Sequence, residues 1–319
     1  MREIKYISAS PDELYFAWQV EVMLDNFINM SVPARDIQIV IGINKHIGEW
    51  WFKLIEKYKE VGFYFYEDTR DYKKYPPSIR PHILYKHWER FPWLQLHPIF
   101  YHDCDIVFTR KLNFEKLLKD EIWYLSDTKS YIDSNYIDSK SNNILQQMCK
   151  IMNLRVCDIL NRDYTAGGAQ YIMKNVFSSF WKRVQYKSEK LYEYLSSIDS
   201  DIQKWTSDMW ALLWSAWYYG FPTNIVSDLS FSMATDTRPK WNKNPIYHNA
   251  GAVEEHKGKL FIKNDHRIEL PYIDHNPYDK QFCSSKYFDL VIETGKNSCL
   301  KKQPPDIDKM LNEVKSIFI

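Results

Sequence analysis

Short apolar runs alternate with stretches whose apolar residues recur three and four positions apart, and this alternation organises the first hundred residues. Residues 4–9 read as a strand that closes on Ser8-Ala9-Ser10. Residues 14–30 carry Phe16, Val20, Met23, Leu24 and Phe27 at helical spacing, with Pro11 ahead and Asp12 expected as the cap. A second strand, IQIVIGI, covers 37–43, and an amphipathic helix covers 49–60. A third strand, GFYFY at 62–66, runs into Glu67-Asp68-Thr69-Arg70. Strands separated by helices of this length predict a parallel sheet with right-handed crossovers. Ligands of such sheets bind beyond the carboxyl ends of the strands, where Ser8–Ser10, Asn44 and Asp68 fall.

The next strand signal is PIFYHDCDIVFTR, residues 98–110. Apolar runs at 99–101 and 106–108 flank His102-Asp103-Cys104-Asp105. Carboxylates at i and i+2 of an extended chain point to one side and repel each other. Burial makes that costly unless the charges are paired or hold a metal. Two readings stand: Asp103 ends the strand as a turn residue while Asp105 caps its surroundings, or both hold a divalent cation shared with a diphosphate.

Farther along, the signals are more scattered. In 75–92, YPPSIRPHILYKHWERFP, Ser78 is expected to cap a helix presenting Arg80, Lys86 and His87, either to a diphosphate or simply to solvent. Residues 122–125 read as a strand and 141–160 as one helix. TAGGAQYIM at 165–173 puts Gly167-Gly168 at a strand head, for close approach to a ligand or for a bulge. Residues 174–196 read as a helix with a basic, aromatic face. In the helix predicted over 201–219, Trp210, Trp214 and Trp217 share one stripe. Asp208 lies roughly 160° from that stripe, beside Trp205, Leu212 and Ser215, so both faces are apolar and the helix is expected to be buried. A carboxylate there needs a hydrogen-bonding or cationic partner, although a first-turn Asp is also favoured by the helix dipole. Residues 232–252 gather Asp236, Arg238, Trp241, His248 and Asn249 ahead of Gly251, with His248 following the apolar pair Ile246-Tyr247 as a strand-end residue would. The tail from about 276 reads as short strands, a Pro304-Pro305 break and an amphipathic helix over 307–318.

Composition narrows the function classes. The chain has 319 residues, 45% hydrophobic, which suffices for a large core in one or two domains. A net charge of +1 excludes a global basic field, so no nucleic-acid partner is expected. The 12 Trp and 23 Tyr suit sugar stacking, though most rings belong in a core. Five cysteines, without a C-x-x-C pair, suggest neither a disulfide framework nor a zinc cluster. MREIKYISAS lacks the apolar core of a signal peptide, and no apolar stretch approaches twenty residues. A soluble, reduced, cytoplasmic protein is expected, with no transmembrane segment.

The order β-α-β-α-β, D-x-D on an apolar strand, a Gly-rich strand and a late His before a small-residue turn resembles the GT-A class of nucleotide-sugar glycosyltransferases. It is most similar to the glycogenin and lipopolysaccharide-galactosyltransferase family, over roughly the first 250 residues. The resemblance implies an α/β fold: a Rossmann-type, mostly parallel sheet flanked by helices, with a mixed α+β C-terminal portion. It implies a catalytic domain over 1–275, with a nucleotide half to about 128 and an acceptor half from 129, and a tail from 276 to 319 packing on it. The activity implied is transfer of a sugar from a UDP- or GDP-sugar to a glycan, lipid or protein acceptor, with Mn2+ or Mg2+. Asp103, Asp105 and His248 are then the metal ligands. Ser8, Ala9, Asp68, Arg80, Lys86, Asp103 and Gly251 are the nucleotide-side residues, and Asp208 and Gln170 the catalytic candidates. Lys257 is offset from the family's lysine, and Ala166-Gly167-Gly168-Ala169-Gln170 stands where the family has Asn-Ala-Gly. Asp208 would be the base if configuration inverts, and would only orient the acceptor if it is retained. A metal-dependent phosphoryl-transfer enzyme and a non-catalytic carbohydrate-binding protein are the two other classes these residues allow.

Overall fold

The structure, a computed structural model, describes residues 3–303. Its strands are β1 (Lys5–Pro11), β2 (Ile37–Ile43), β3 (Gly62–Glu67), β4 (Ile99–Tyr101), β5 (Ile106–Phe108), β6 (Trp123–Asp127), β7 (Gly167–Met173), β8 (Thr223–Ile225), β9 (Phe231–Ser232) and β10 (Ile246–His248). The chain divides into two compact units. One holds Asp68–Tyr101, Phe114–Leu229 and residues 3–5; the other holds Tyr6–Glu67, His102–Asn113 and residues 230–303.

In the second unit, β1, β2 and β3 pair in parallel in the order β3-β2-β1. The helices Leu14–Asn29 and Glu49–Lys57 join them, as the alternation predicts. β2 is buried nearly throughout, which is why it reads as an unbroken apolar run rather than an alternating one. A small sheet in the order β5-β10-β9 completes the unit, with β10 antiparallel to β5 and parallel to β9. In the first unit, β7 pairs antiparallel with β4 and β6, and β6 pairs parallel with β8. The expected α/β class, mostly parallel strands flanked by helices, is the fold observed.

Several local expectations change. Asp12 does not cap the helix Leu14–Asn29; its carboxylate accepts bonds from the Gly48 N–H and from the Trp50 and Trp51 indoles, at 2.7 to 3.0 Å. Three donors outcompete one helix N–H. Residues 141–160 form two helices, Ile144–Met152 and Val156–Leu160, because Asn153 turns left-handed at φ 55. The tail holds a helix, Cys283–Lys296, in place of short strands. Cys283, Tyr287, Val291 and Thr294 are its buried stripe, a period of 3.6 hidden among β-branched residues. Residues 307–318, read as a terminal helix, lie outside the described residues. Trp210, Trp214 and Trp217 are buried as expected, whereas Trp205 precedes the helix Ser207–Tyr218 and is exposed.

Candidate active site

The acidic pair is positioned by short strands on either side. β5 begins at Ile106, immediately after Asp105, and pairs antiparallel with β10 so that His248 faces Ile106 in register. The Asn249 N–H donates to the Asp105 carbonyl at 2.9 Å and continues the ladder by one residue. This register, fixed by the apolar alternation of β5 and β10, carries the imidazole to the carboxylates. His248 Nε2 lies 3.2 Å from Asp105 Oδ1 and 3.6 Å from Asp103 Oδ2. One ligand atom from each of the three residues lies within 4.8 Å of the others. Adjacent ligands bound at about 2.0–2.6 Å around a cation stand about 2.8–3.7 Å apart, so these separations fit shared ligation. Two carboxylates and an imidazole suit a first-row divalent ion such as Mn2+.

The sequence did not single out Lys263. Its ammonium pairs with Asp105 Oδ2, on the carboxylate oxygen not facing His248. The signal was present: Lys263 follows the buried apolar run Leu260-Phe261-Ile262, as Asp103 follows β4. Its segment, Lys263–His266, is tied to the helix Leu14–Asn29 by Tyr15 OH to Asn264 Oδ1 (3.1 Å) and Trp18 Nε1 to the His266 carbonyl (3.0 Å). Burial favours the neutral Asp105 acid, but Lys263 and then His248 outweigh it and hold the carboxyl well below its usual range. Burial also lowers His248, yet Asp105 outweighs this and the net shift is upward. Lys257, the alternative lysine, is exposed and pairs with Glu254 at 3.2 Å.

Ser8 and Ala9 lie within β1 rather than beyond it, because the strand runs on to Pro11. The Ser8 and Ser10 hydroxyls are buried and, among the described residues, have no hydrogen-bond partner. Gly251 turns the chain three residues after His248 at φ 84, a left-handed conformation that disfavours any Cβ.

The remaining candidates belong to the other unit. Asp68 comes directly after β3, and Arg70 grips it with two prongs at 2.8 and 2.9 Å. Arg70 also donates to Ser78 Oγ at 2.7 Å, so Ser78 serves this network and makes no side-chain cap to the helix Ile79–Arg90. On that helix Lys86 reaches Thr69 Oγ1 at 2.9 Å, while His87 is fully buried against Trp88 and Phe91. Arg80 forms an ion pair with Asp208 Oδ2, and Tyr75 OH lies 2.8 Å from Asp208 Oδ1 while accepting from the Asp208 N–H at 3.0 Å. The partner that a carboxylate on this helix requires is thus Arg80, with Tyr75 beside it. Gln170 is fully buried, its Oε1 2.7 Å from Ser126 Oγ. The glycine pair ahead of it serves strand packing: a Cβ on Gly167 would stand 2.6 Å from the Ser126 carbonyl, at the register shift between Leu125 and Ser126.

No family model matches the chain, and no curated protein matches it. Solved structures do. The apo structure of the WbbM bifunctional glycosyltransferase shares 9% identity at a TM-score of 0.50, covering 93% of this chain and 50% of WbbM. The chain has the fold of a glycosyltransferase. It spans about half the length of WbbM. The galactosyltransferase LgtC, solved with donor and acceptor sugar analogues, shares 10% identity at a TM-score of 0.46, covering 98% of this chain and 100% of LgtC. The glycosyltransferase GlyE of Streptococcus pneumoniae TIGR4 shares 10% identity at a TM-score of 0.47, covering 99% of this chain and 64% of GlyE. Among the described residues no helix is long and apolar enough to cross a membrane.

Proposed function

We propose that the chain is a metal-dependent glycosyltransferase that moves a sugar from a nucleoside-diphosphate sugar to a glycan-type acceptor. One observation carries this reading: Asp103, Asp105 and His248, from two segments far apart in sequence, converge with ligand-like spacing in a chain of glycosyltransferase fold. In this reading the three side chains hold Mn2+ or Mg2+, which when bound neutralises the departing diphosphate. His248 would ligate as the neutral imidazole. The orphaned Ser8 and Ser10 hydroxyls offer partners to the nucleotide, and Gly251 lets the backbone turn beside it.

Asp208 acts as a positioning residue in this reading. Both of its oxygens are engaged, by Arg80 and by Tyr75, which fixes the carboxylate in one orientation. Gln170 is buried and accepts from Ser126 Oγ, so a polar role toward the sugar would be exerted through that contact. The anomeric configuration of the product, read by NMR, decides between retention and inversion.

The test is a calorimetric titration with UDP and GDP, with and without Mn2+, followed by a transfer assay with the corresponding sugar donors. Metal-dependent binding of a nucleoside diphosphate and release of that diphosphate on transfer are expected. Glycan binding in EDTA without nucleotide binding would make the protein a lectin-like module instead. Phosphate release without sugar transfer would make it a phosphoryl-transfer enzyme.

A further inference from the structure

We infer that Lys263 is a resident counter-ion which makes divalent-cation binding depend on the diphosphate. The inference rests on the proposed metal site, but it concerns a residue that neither the D-x-D motif nor the histidine turn contains. The Lys263 ammonium sits on Asp105 Oδ2, while His248 Nε2 faces Oδ1 of the same carboxylate. Asp105 is 5% exposed at its side chain and Lys263 is 27% exposed, so the carboxylate is the more shielded member of the pair. The lysine is not held there by chance proximity. Asn264 and His266, one and three residues on, are hydrogen-bonded to Tyr15 and Trp18, which fixes its backbone against the helix Leu14–Asn29.

Charge balance gives the consequence. With neutral His248, the two aspartates and Lys263 sum to one negative charge. A divalent ion alone brings the cluster to one net positive charge, with the ammonium pressed against a carboxylate that has become a metal ligand. Two cations sharing one carboxylate would repel appreciably at a partly buried site. A diphosphate removes this conflict, because its oxygens take the ion on one side and the released ammonium on the other. Metal and nucleotide therefore bind cooperatively, and Lys263 is the source of the coupling. By linkage, each raises the other's affinity by the same factor.

The experiment is an EPR titration of free Mn2+ against the full-length protein, with and without UDP or GDP, for wild type, Lys263→Met and Lys263→Arg. Wild type is expected to bind Mn2+ weakly alone and roughly tenfold or more tightly with the preferred diphosphate. Lys263→Met is expected to bind Mn2+ alone roughly tenfold more tightly than wild type, and to lose most of the enhancement by diphosphate. Lys263→Arg, which keeps the charge, is expected to keep the coupling. If Lys263→Met does not fold, Lys263→Gln serves in its place, since it keeps a donor without the charge. Unchanged Mn2+ affinity and unchanged enhancement in the neutral variant overturn the inference. So does weaker Mn2+ binding, which would make Lys263 a support of the site. If wild type binds Mn2+ neither alone nor with either diphosphate, the metal site itself is wrong, and the proposed function falls with it.

Discussion

Replacing Asp105 by Asn tests the site most directly, because a large effect on binding is expected beside a small one on stability. The substitution keeps the shape and the 2.9 Å bond from the Asn249 N–H to the residue 105 carbonyl, which is main chain. It removes one of the two proposed anionic metal ligands. Outer-shell partners alone are worth about 10–100-fold in metal affinity, so loss of a ligand and its charge should cost on the order of a hundredfold or more. The stability account is milder. Removing one member of a buried ion pair costs about 3–5 kcal/mol when the partner stays buried and charged. Lys263 is 27% exposed and can return its head to water, and the Asp103–Asp105 repulsion is relieved at the same time. A net change within about 2 kcal/mol follows, which for a chain of this size is a shift of at most about 8 °C in Tm. The assay sets a thermal melt beside Mn2+ binding and sugar transfer on the same preparation. A folded Asp105→Asn protein with near-normal, Mn2+-dependent transfer would refute the assignment of the acidic pair.

Asp208→Asn is expected to leave Mn2+ and nucleotide binding unchanged and to lower transfer by about 100-fold, as misplacing a reacting group does. Arg80→Met should reproduce that loss, and a lower Tm with normal specific activity in both would make the pair structural. Gly251→Ala adds a side chain at φ 84, where the nearest atom, Thr235 Oγ1, is an unstrained 3.5 Å away, so the cost is backbone strain alone: about 1–2 kcal/mol by denaturant melt. His87 contributes to acid stability, alongside the equally buried His102: burial, and then Arg90, depress the His87 pKa from 6.5 to about 3. The unfolded chain therefore binds the extra proton between those values, so the stabilisation is complete above about pH 6.5 and is lost as pH falls toward 3. Unfolding free energy should drop by about 2 kcal/mol between pH 7 and 5 on this account, and His87→Phe should flatten that slope.

The layers of the fold were legible because their signals are local. β2 and the helix Leu14–Asn29 announce themselves within their own residues, one by an unbroken apolar run and one by its period. The convergence of Asp103, Asp105 and His248 was legible for a related reason: β5 and β10 are short and apolar, β5 starting just after Asp105 and β10 stopping at His248. What failed was the assignment of partners. Asp12 looks like a helix cap because a cap needs only its neighbours, yet its donors lie 36 to 39 residues away. The stripe of the helix Cys283–Lys296 was obscured because Val291 and Ile292 read as strand, and only burial against the rest of its unit selects the helical period.

Lys263 marks the physical limit of motif reading at this site. A motif specifies a lysine by its distance along the chain from the histidine; the first lysine after His248 is Lys257, and even that one is offset from the family's spacing. Distance along the chain matters only while the intervening backbone has one conformation. Here Gly251 at φ 84 and Gly258 at φ 76 both redirect the chain after His248. Lys257 ends on the surface beside Glu254, and the cation comes instead from the next segment anchored to the helix Leu14–Asn29. The buried charge of Asp105 demands a cation, but it is indifferent to which residue number supplies it. Reading such a site from sequence therefore means asking which Lys or Arg follows an apolar run able to bury itself nearby. Leu260-Phe261-Ile262 satisfies that condition, whereas Val253-Glu254-Glu255-His256, ahead of Lys257, does not.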